Sequence, residues 1–340
     1  MTDPIALSGA PGSPYTRKML AVLRYRRIPY RFLLPTNRRL AELPRPKVAL
    51  LPTFYLPDET GALAAVTDST PLIRRFEKEY PGRSLIPPDP ATGFLNELIE
   101  DYADEWLTKA MFHYRWSYAP DIAKGAAILP CWRGFTRPDA ELKDASDAIA
   151  ERQIGRLRFV GSNPTTGPVI EASYRRFLAA FEDHLRHEPY LFGRRPASAD
   201  FAVYGQLTQL AEFDPTPMAL TLAVAPRVTA WVGMMEDLCG LEPQEGDWAS
   251  ADPPSATLGA ILAEIGRVYP PVMLANARAV MSGASEVSAT VDGAPWTQQP
   301  FPYQAKCLGW LRDAHAALPA AARAAVDGAL APAGLAELFA

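Results

Sequence analysis

Sulfur and imidazole are scarce in this chain: 340 residues hold three cysteines, Cys131, Cys239 and Cys307, and four histidines, His113, His184, His187 and His315. An odd set of widely spaced cysteines builds neither a disulfide framework nor a thiolate zinc site. The histidines form no ligand cluster either, and His184 and His187, three apart on a predicted helix, read as its solvated end, so no metal is expected. Positive charge is not in excess. The formal net charge of −4 disfavours nucleic acid and acidic membranes as partners. No run of about 18 or more apolar residues is present to span a bilayer, and MTDPIALSGAPG lacks the basic flank and apolar centre of a signal peptide. The expectation is a cytoplasmic protein with no membrane partner.

What is present is apolar material: 48% of residues are hydrophobic and 21% charged, enough in a chain of this length for more than one core. Ile5 to Ser8 reads as a strand, Tyr15 to Arg26 as a helix with Met19, Leu20, Val22 and Leu23 at helical spacing, and Tyr30 to Leu34 as a second strand. After an arginine-rich segment, two apolar runs flank the Asp58–Gly61 turn as a hairpin. Thr70-Pro71 then opens a helix. The predicted order is βαβ followed by ββα over residues 1–84.

The proline-rich SLIPPDPATG separates this region from an all-helical one, 94–248, with helices predicted at 94–118, 139–160, 168–187, 199–212 and 226–238. Residues 249–340 form a C-terminal extension: helices near 256–282, a hairpin at Asp292-Gly293, and a helical segment over 303–316. No functional motif of its own is evident there. It could cover the mouth of a site or mediate assembly.

Four stretches carry a family resemblance. SPYTRK follows the first strand and opens the first helix, LLPTF places a proline beside a strand, VTDSTPLI precedes the next helix, and YLFGRRPASADFAVYGQL opens a buried one. In this order they resemble the cytosolic glutathione transferase superfamily, over about residues 4–240. The resemblance implies a thioredoxin-like α/β domain followed by an all-α domain, glutathione as co-substrate, a hydrophobic electrophile as its partner, and a homodimer. Two departures stand out. The cap hydroxyl that the family keeps three residues before the Asp of its helix start is Ala197 here, with Ser198 displaced by one and expected to cap with shifted geometry, and ordinary members lack the extension.

Placed on that pattern, Ser13 is the candidate thiolate donor, with Tyr15 and Thr16 as alternatives; the same Ser13-Pro14 pair also reads as an ordinary helix N-cap. Asp68 and Ser69 are candidates for the γ-glutamyl ammonium and carboxylate, or simply cap a helix. Leu51, turned outward if Pro52 is cis, would pair with the cysteinyl backbone. Lys47, Arg38 and Arg39 either meet the glycyl carboxylate or sit in a solvated loop. Met111, Tyr114, Arg115 and Tyr118 share a helix face that suits an electrophile cleft or core and interface packing. With no Cys at 13 or 16 this loop cannot form a disulfide, so the expected activity is thiolate attack: conjugation, dehalogenation or ether cleavage. The alternatives are a non-catalytic binding or scaffold module and a glutathione-dependent isomerase or peroxidase.

Overall fold

Residues 3–340 are described by a computed structural model. The chain opens with β1 (Ile5–Ser8), α1 (Pro14–Tyr25) and β2 (Tyr30–Leu33), where the apolar spacing predicts a βαβ unit. β1 pairs parallel to β2 and antiparallel to β3 (Thr53–Pro57), and β3 pairs antiparallel to β4 (Leu63–Val66), so the sheet order is β2-β1-β3-β4. Asp58 closes the β3–β4 turn by accepting from the Thr60 and Ala62 N–H groups. α2 (Ser69–Glu79) then buries Leu72, Ile73 and Phe76. Pro52 stands just before β3, where its missing N–H removes no ladder bond, and the Leu51–Pro52 peptide is cis.

The helical region begins with α3 (Pro90–Tyr102), earlier than the sequence pattern places it. Asp89 accepts from the Thr92 N–H at 2.8 Å and Pro90 fills the first helical position, a start signal lying inside the proline-rich connector. α3 continues through a π-helical stretch, Ala103–Leu107, into α4 (Thr108–Ser117). There follow α5 (Ala119–Cys131), α6 (Asp139–Ile154), α7 (Gly167–His184), α8 (Ser198–Leu207), α9 (Pro215–Val224) and α10 (Pro226–Met235). Neither α5 nor α9 is among the expected helices: Gly125 and Pro130 punctuate the first, Pro215 and Pro217 the second.

The start of α8 corrects the expectation for Ser198. Asp200 accepts from the N–H groups of Ala197 and Leu191, both at 2.9 Å, but alanine has no hydroxyl with which to complete the cap, and Ser198 does not take its place. The cap arrives from another helix: Asn96 of α3 accepts from the Ala199 N–H and donates to the Ser198 hydroxyl, each at 2.9 Å. Ser198 Oγ is thereby freed to donate to Glu100 at 2.6 Å. His184 is also placed differently from the sequence reading. It is buried at the end of α7, bridging the Thr257 hydroxyl and the Tyr190 carbonyl, whereas His187 is exposed.

The extension comprises α11 (Ala256–Ser282), the hairpin β5 (Val287–Val291) and β6 (Ala294–Gln298), α12 (Pro302–Ala316) and α13 (Ala320–Leu330). Asp292 and Gly293 turn the hairpin with φ of 51° and 76°, the geometry of a two-residue turn. α11 runs through Pro270 and Pro271. By length and composition it could cross a membrane, although most of its apolar window is buried within the protein. It packs on α7, with Arg176 paired to Glu264 at 2.5 Å. Ile265 and Val272 of α11 and Leu308 of α12 belong to the same continuous core as Leu7, Phe94 and Phe177. The tail is therefore part of the folded body.

Candidate active site

Three backbone segments converge where α1 and α2 begin. Ser13 caps α1, its Oγ accepting from the Thr16 N–H at 3.2 Å, and its hydroxyl donates to the Leu51 carbonyl at 3.3 Å. The Leu51 N–H has no protein partner among the described residues. Asp68 takes a left-handed φ of 84° just ahead of α2. Its side chain does not cap that helix but accepts from the Tyr303 hydroxyl at 2.6 Å. Ser69, buried at the first turn, accepts from Lys18 Nζ at 3.1 Å.

A cavity of about 690 Å³ opens against these groups, lined on this side by Tyr15, Leu51, Pro52, Asp68 and Ser69. Ser13 borders it through Leu51 and is not itself a lining residue. Lys47, Arg38 and Arg39 are exposed and lie outside it. Tyr15 reaches the cavity with its hydroxyl already committed to the Asp104 carbonyl at 2.7 Å. Burial, reinforced by Glu105 and Asp104, pushes its phenol well above the ordinary range, so it stays protonated.

Beneath the site lies Lys18, only 1% exposed, with its ammonium 2.6 Å from Asp104 Oδ2 and 2.9 Å from Glu100 Oε1. Glu100 also accepts from Thr70 and Ser198. Burial alone would raise the Glu100 carboxyl, but Lys18, Arg74 and the hydroxyl donors hold it down at about 2. Asp104 goes the other way, to about 6, because burial and the Glu100 charge outweigh its share of Lys18. The sequence analysis did not single out Lys18. The available signal was a cation at apolar helical spacing, Lys18 beside Met19 and one turn from Val22 on the buried face of α1.

A second wall comes from the long helix around the π-helical stretch. Asp101, Asp104, Glu105, Thr108 and Lys109 recur at helical spacing along one face and all line the cavity. The extra residue of a π-bulge shifts helix register, a device common at functional sites. Asp101 is raised to about 7 and Glu105 to about 8, both chiefly by burial and then by neighbouring carboxylates. Burial lowers Lys109 to about 8; its ammonium donates to Gln298 of β6 and to the Val160 carbonyl.

The tail supplies the third wall, through Phe301, Tyr303, Gln304, Lys306, Cys307 and Trp310. Gln304 Nε2 donates to the Glu105 carbonyl at 3.2 Å, tying α12 to the acid stripe. Cys307 is buried, and burial together with Glu105 drives its thiol upward, so it is no thiolate nucleophile.

The expected electrophile residues lie elsewhere. Met111, Tyr114 and Arg115 are buried, and neither they nor Tyr118 line the cavity. Arg115 is spent on Asp214, Gln209 and the Gly12 carbonyl, Tyr118 donates to Glu171, and Tyr114 stacks on Tyr118 and meets Tyr174 edge-on. At this point α4 has passed the cavity and packs against α5 and α7, so the aromatic face becomes core. The stripe that does line the cavity begins fourteen residues earlier, at Glu97, and runs through Asp101 to Lys109; its charged periodicity, ELIEDYADEWLTK, was the available signal.

Two family models match the chain: glutathione S-transferase, N-terminal domain, over residues 7–84, and glutathione S-transferase, C-terminal domain, over residues 139–233. Together they cover just over half of it. Solved structures similar to it include a GST-like protein from Pseudomonas syringae, 17% identical over 69% of this chain and 67% of that one, with a TM-score of 0.42. A glutathione S-transferase from Methylobacterium radiotolerans, in complex with glutathione sulfonate, is 19% identical over 68% and 90%, TM-score 0.40. The β-etherase LigF from Sphingobium sp. strain SYK-6 is 17% identical over 68% and 94%, TM-score 0.44. No curated protein matches the chain.

Proposed function

Because the chain belongs to the cytosolic glutathione transferase superfamily, we propose that it binds glutathione and directs the thiolate at an electrophilic carbon of a largely apolar substrate. The observation that carries this reading is the gathering of three matched groups on one side of one cavity: the outward Leu51 backbone beside Pro52, the Asp68 carboxylate and the Ser69 hydroxyl at the start of α2. Leu51 offers one rung of strand pairing to the cysteinyl peptide. Asp68 takes the γ-glutamyl ammonium, while Ser69 and the positive end of α2 take its carboxylate.

The thiol then falls next to Leu51, where Ser13 stands. A free thiol of pKa about 8.5 is only a few per cent ionised at neutral pH. Lowering that value by about two units takes roughly 2.7 kcal/mol of preference for the anion, and a hydroxyl donor to a charged group supplies about 1.5–3 kcal/mol. Ser13 holds its hydrogen on the Leu51 carbonyl at 3.3 Å, a long bond it can exchange for one to the thiolate. Tyr15 lacks that freedom, its hydrogen being held at 2.7 Å.

The test is calorimetric titration with glutathione of the wild type and Ser13→Ala, with the ultraviolet thiolate absorbance of each complex. The expected result is binding by both, with the thiolate signal reduced in the variant and its kcat/KM lower by about a hundredfold, in line with a loss of roughly 2.7 kcal/mol. Absence of heat from the wild type at millimolar glutathione would remove the enzyme reading in favour of a scaffold. Equal thiolate absorbance in both would remove Ser13 from its role.

A further inference from the structure

Glutathione brings more negative charge than the three matched groups receive. At neutral pH it carries two carboxylates and one ammonium, while Asp68 adds a further anion, and Ser69, Leu51 and the start of α2 offer only neutral donors. Among the described residues two cations line the cavity, Lys109 and Lys306. Lys109 is 1% exposed and already spent on Gln298 and the Val160 carbonyl. Lys306, on the tail helix α12, is exposed and has no carboxylate partner among the described residues.

The helix aims this free cation. Tyr303, Lys306 and Trp310 stand three and then four residues apart, so they share one face of α12. Trp310 meets Tyr303 edge-on with ring centroids 6.3 Å apart, and the Lys306 ammonium rests 4.3 Å from the Trp310 ring centre. One indole thus holds the ammonium on the Tyr303 side, and the Tyr303 hydroxyl is itself 2.6 Å from Asp68. A cation laid on a ring is steered without being neutralised, so its charge stays available to a ligand. Of the two glutathione carboxylates, the α-carboxylate of the γ-glutamyl group is the nearer. It shares a carbon with the ammonium that Asp68 takes, whereas the glycyl carboxylate lies beyond the Leu51 rung at the other end of the tripeptide.

We infer that Lys306 receives the γ-glutamyl α-carboxylate of glutathione, so that the amino-acid head is clamped between Asp68 and Ser69 on one side and the tail helix on the other. This rests on the glutathione reading and deepens it, making the tail part of the binding site and not only of the core. The test titrates wild type, Lys306→Met and Lys306→Arg calorimetrically with three ligands: glutathione, γ-aminobutyryl-cysteinylglycine, which keeps the ammonium and lacks the α-carboxylate, and the glycyl ethyl ester of glutathione. Methionine keeps an apolar stem against Trp310 and removes the charge. It should cost glutathione and the ester about fivefold at low salt, as a partly exposed ion pair allows, and leave the γ-aminobutyryl analogue within about twofold. Arginine should hold glutathione within about twofold of wild type. The methionine loss should shrink as salt rises, and kcat at saturating glutathione should stay unchanged because the thiol is untouched.

The inference is overturned if the methionine variant binds glutathione as the wild type does, if the γ-aminobutyryl analogue suffers the same loss, or if the loss vanishes with the ester alone, which would put Lys306 at the glycyl end. In each of these cases the wild type still binds glutathione and the transferase reading stands. No heat from the wild type at millimolar glutathione removes both.

Discussion

An ammonium group can only donate, and at position 18 that restriction reaches the candidate site. Ser69 Oγ must accept from Lys18, so its single hydrogen is directed elsewhere and is available to a ligand carboxylate. The same ammonium pairs with two buried carboxylates, Glu100 of α3 and Asp104 of the π-helical stretch. Breaking such a group by removing one partner leaves uncompensated charge in a low-dielectric interior, at a cost of about 3–5 kcal/mol. Lys18→Met should therefore destabilise the protein by that amount, read as a lower urea midpoint with an unchanged slope. A loss below about 1 kcal/mol would mean that water or a rearranged Arg74 takes over, and Lys18 would then be no anchor for Ser69.

Among the elements, the long helix α3–α4 was legible as a helix but not as a cavity wall. Its apolar residues pack in every direction, so the aromatic run at 111–118 looks no different in sequence from a cleft, and only the neighbours α5 and α7 make it core. The hairpin β5–β6 was readable because Asp292-Gly293 has one favoured turn geometry, and β1, α1 and β2 because their apolar spacings are unambiguous. The α8 start was half readable: Asp200 fits its sequence pattern, but the Asn96 cap comes from about a hundred residues away, beyond any local signal. The acid stripe makes its own prediction. Asp104, Asp101 and Glu105 titrate near 6, 7 and 8 in the folded protein, above the values of about 4 they have when unfolded. The native state thus holds more protons than the unfolded state between those limits, and stability falls as pH rises through the window. Glu100, held at about 2, acts oppositely but only below its unfolded value, and the shift of Lys109 acts above about 8. The thermal midpoint should decline from about pH 5 to about pH 8, and Glu105→Gln should flatten the upper part of that decline. A midpoint that climbs across the window in the wild type would contradict the assignment.

At the scale of the whole molecule the tail closes what the first domain opens. Gly266 of α11 lets the Ala333 carbonyl approach so closely that a Cβ would lie 1.6 Å from it. Asn276 binds the Phe301 backbone in both directions, and Tyr303 reaches Asp68 across 235 residues of sequence. Deleting the tail would uncover core shared by α3, α7 and α11, so a truncation tests folding before it tests function. Removing one hydroxyl is the cleaner change. The phenol of Tyr303, raised by burial and by Cys307 and Asp68, stays protonated and can only donate to Asp68, leaving Oδ1 free for an ammonium. If that bond orients Asp68 for glutathione, Tyr303→Phe weakens glutathione affinity by roughly three- to tenfold, the worth of about 1 kcal/mol, with kcat little changed because the thiolate is untouched. If the tail instead occupies Asp68 against the ligand, the same variant tightens binding. The sign of the change in Kd, measured by titration with protein of unchanged thermal midpoint, decides whether residues 249–340 complete the glutathione site or guard it.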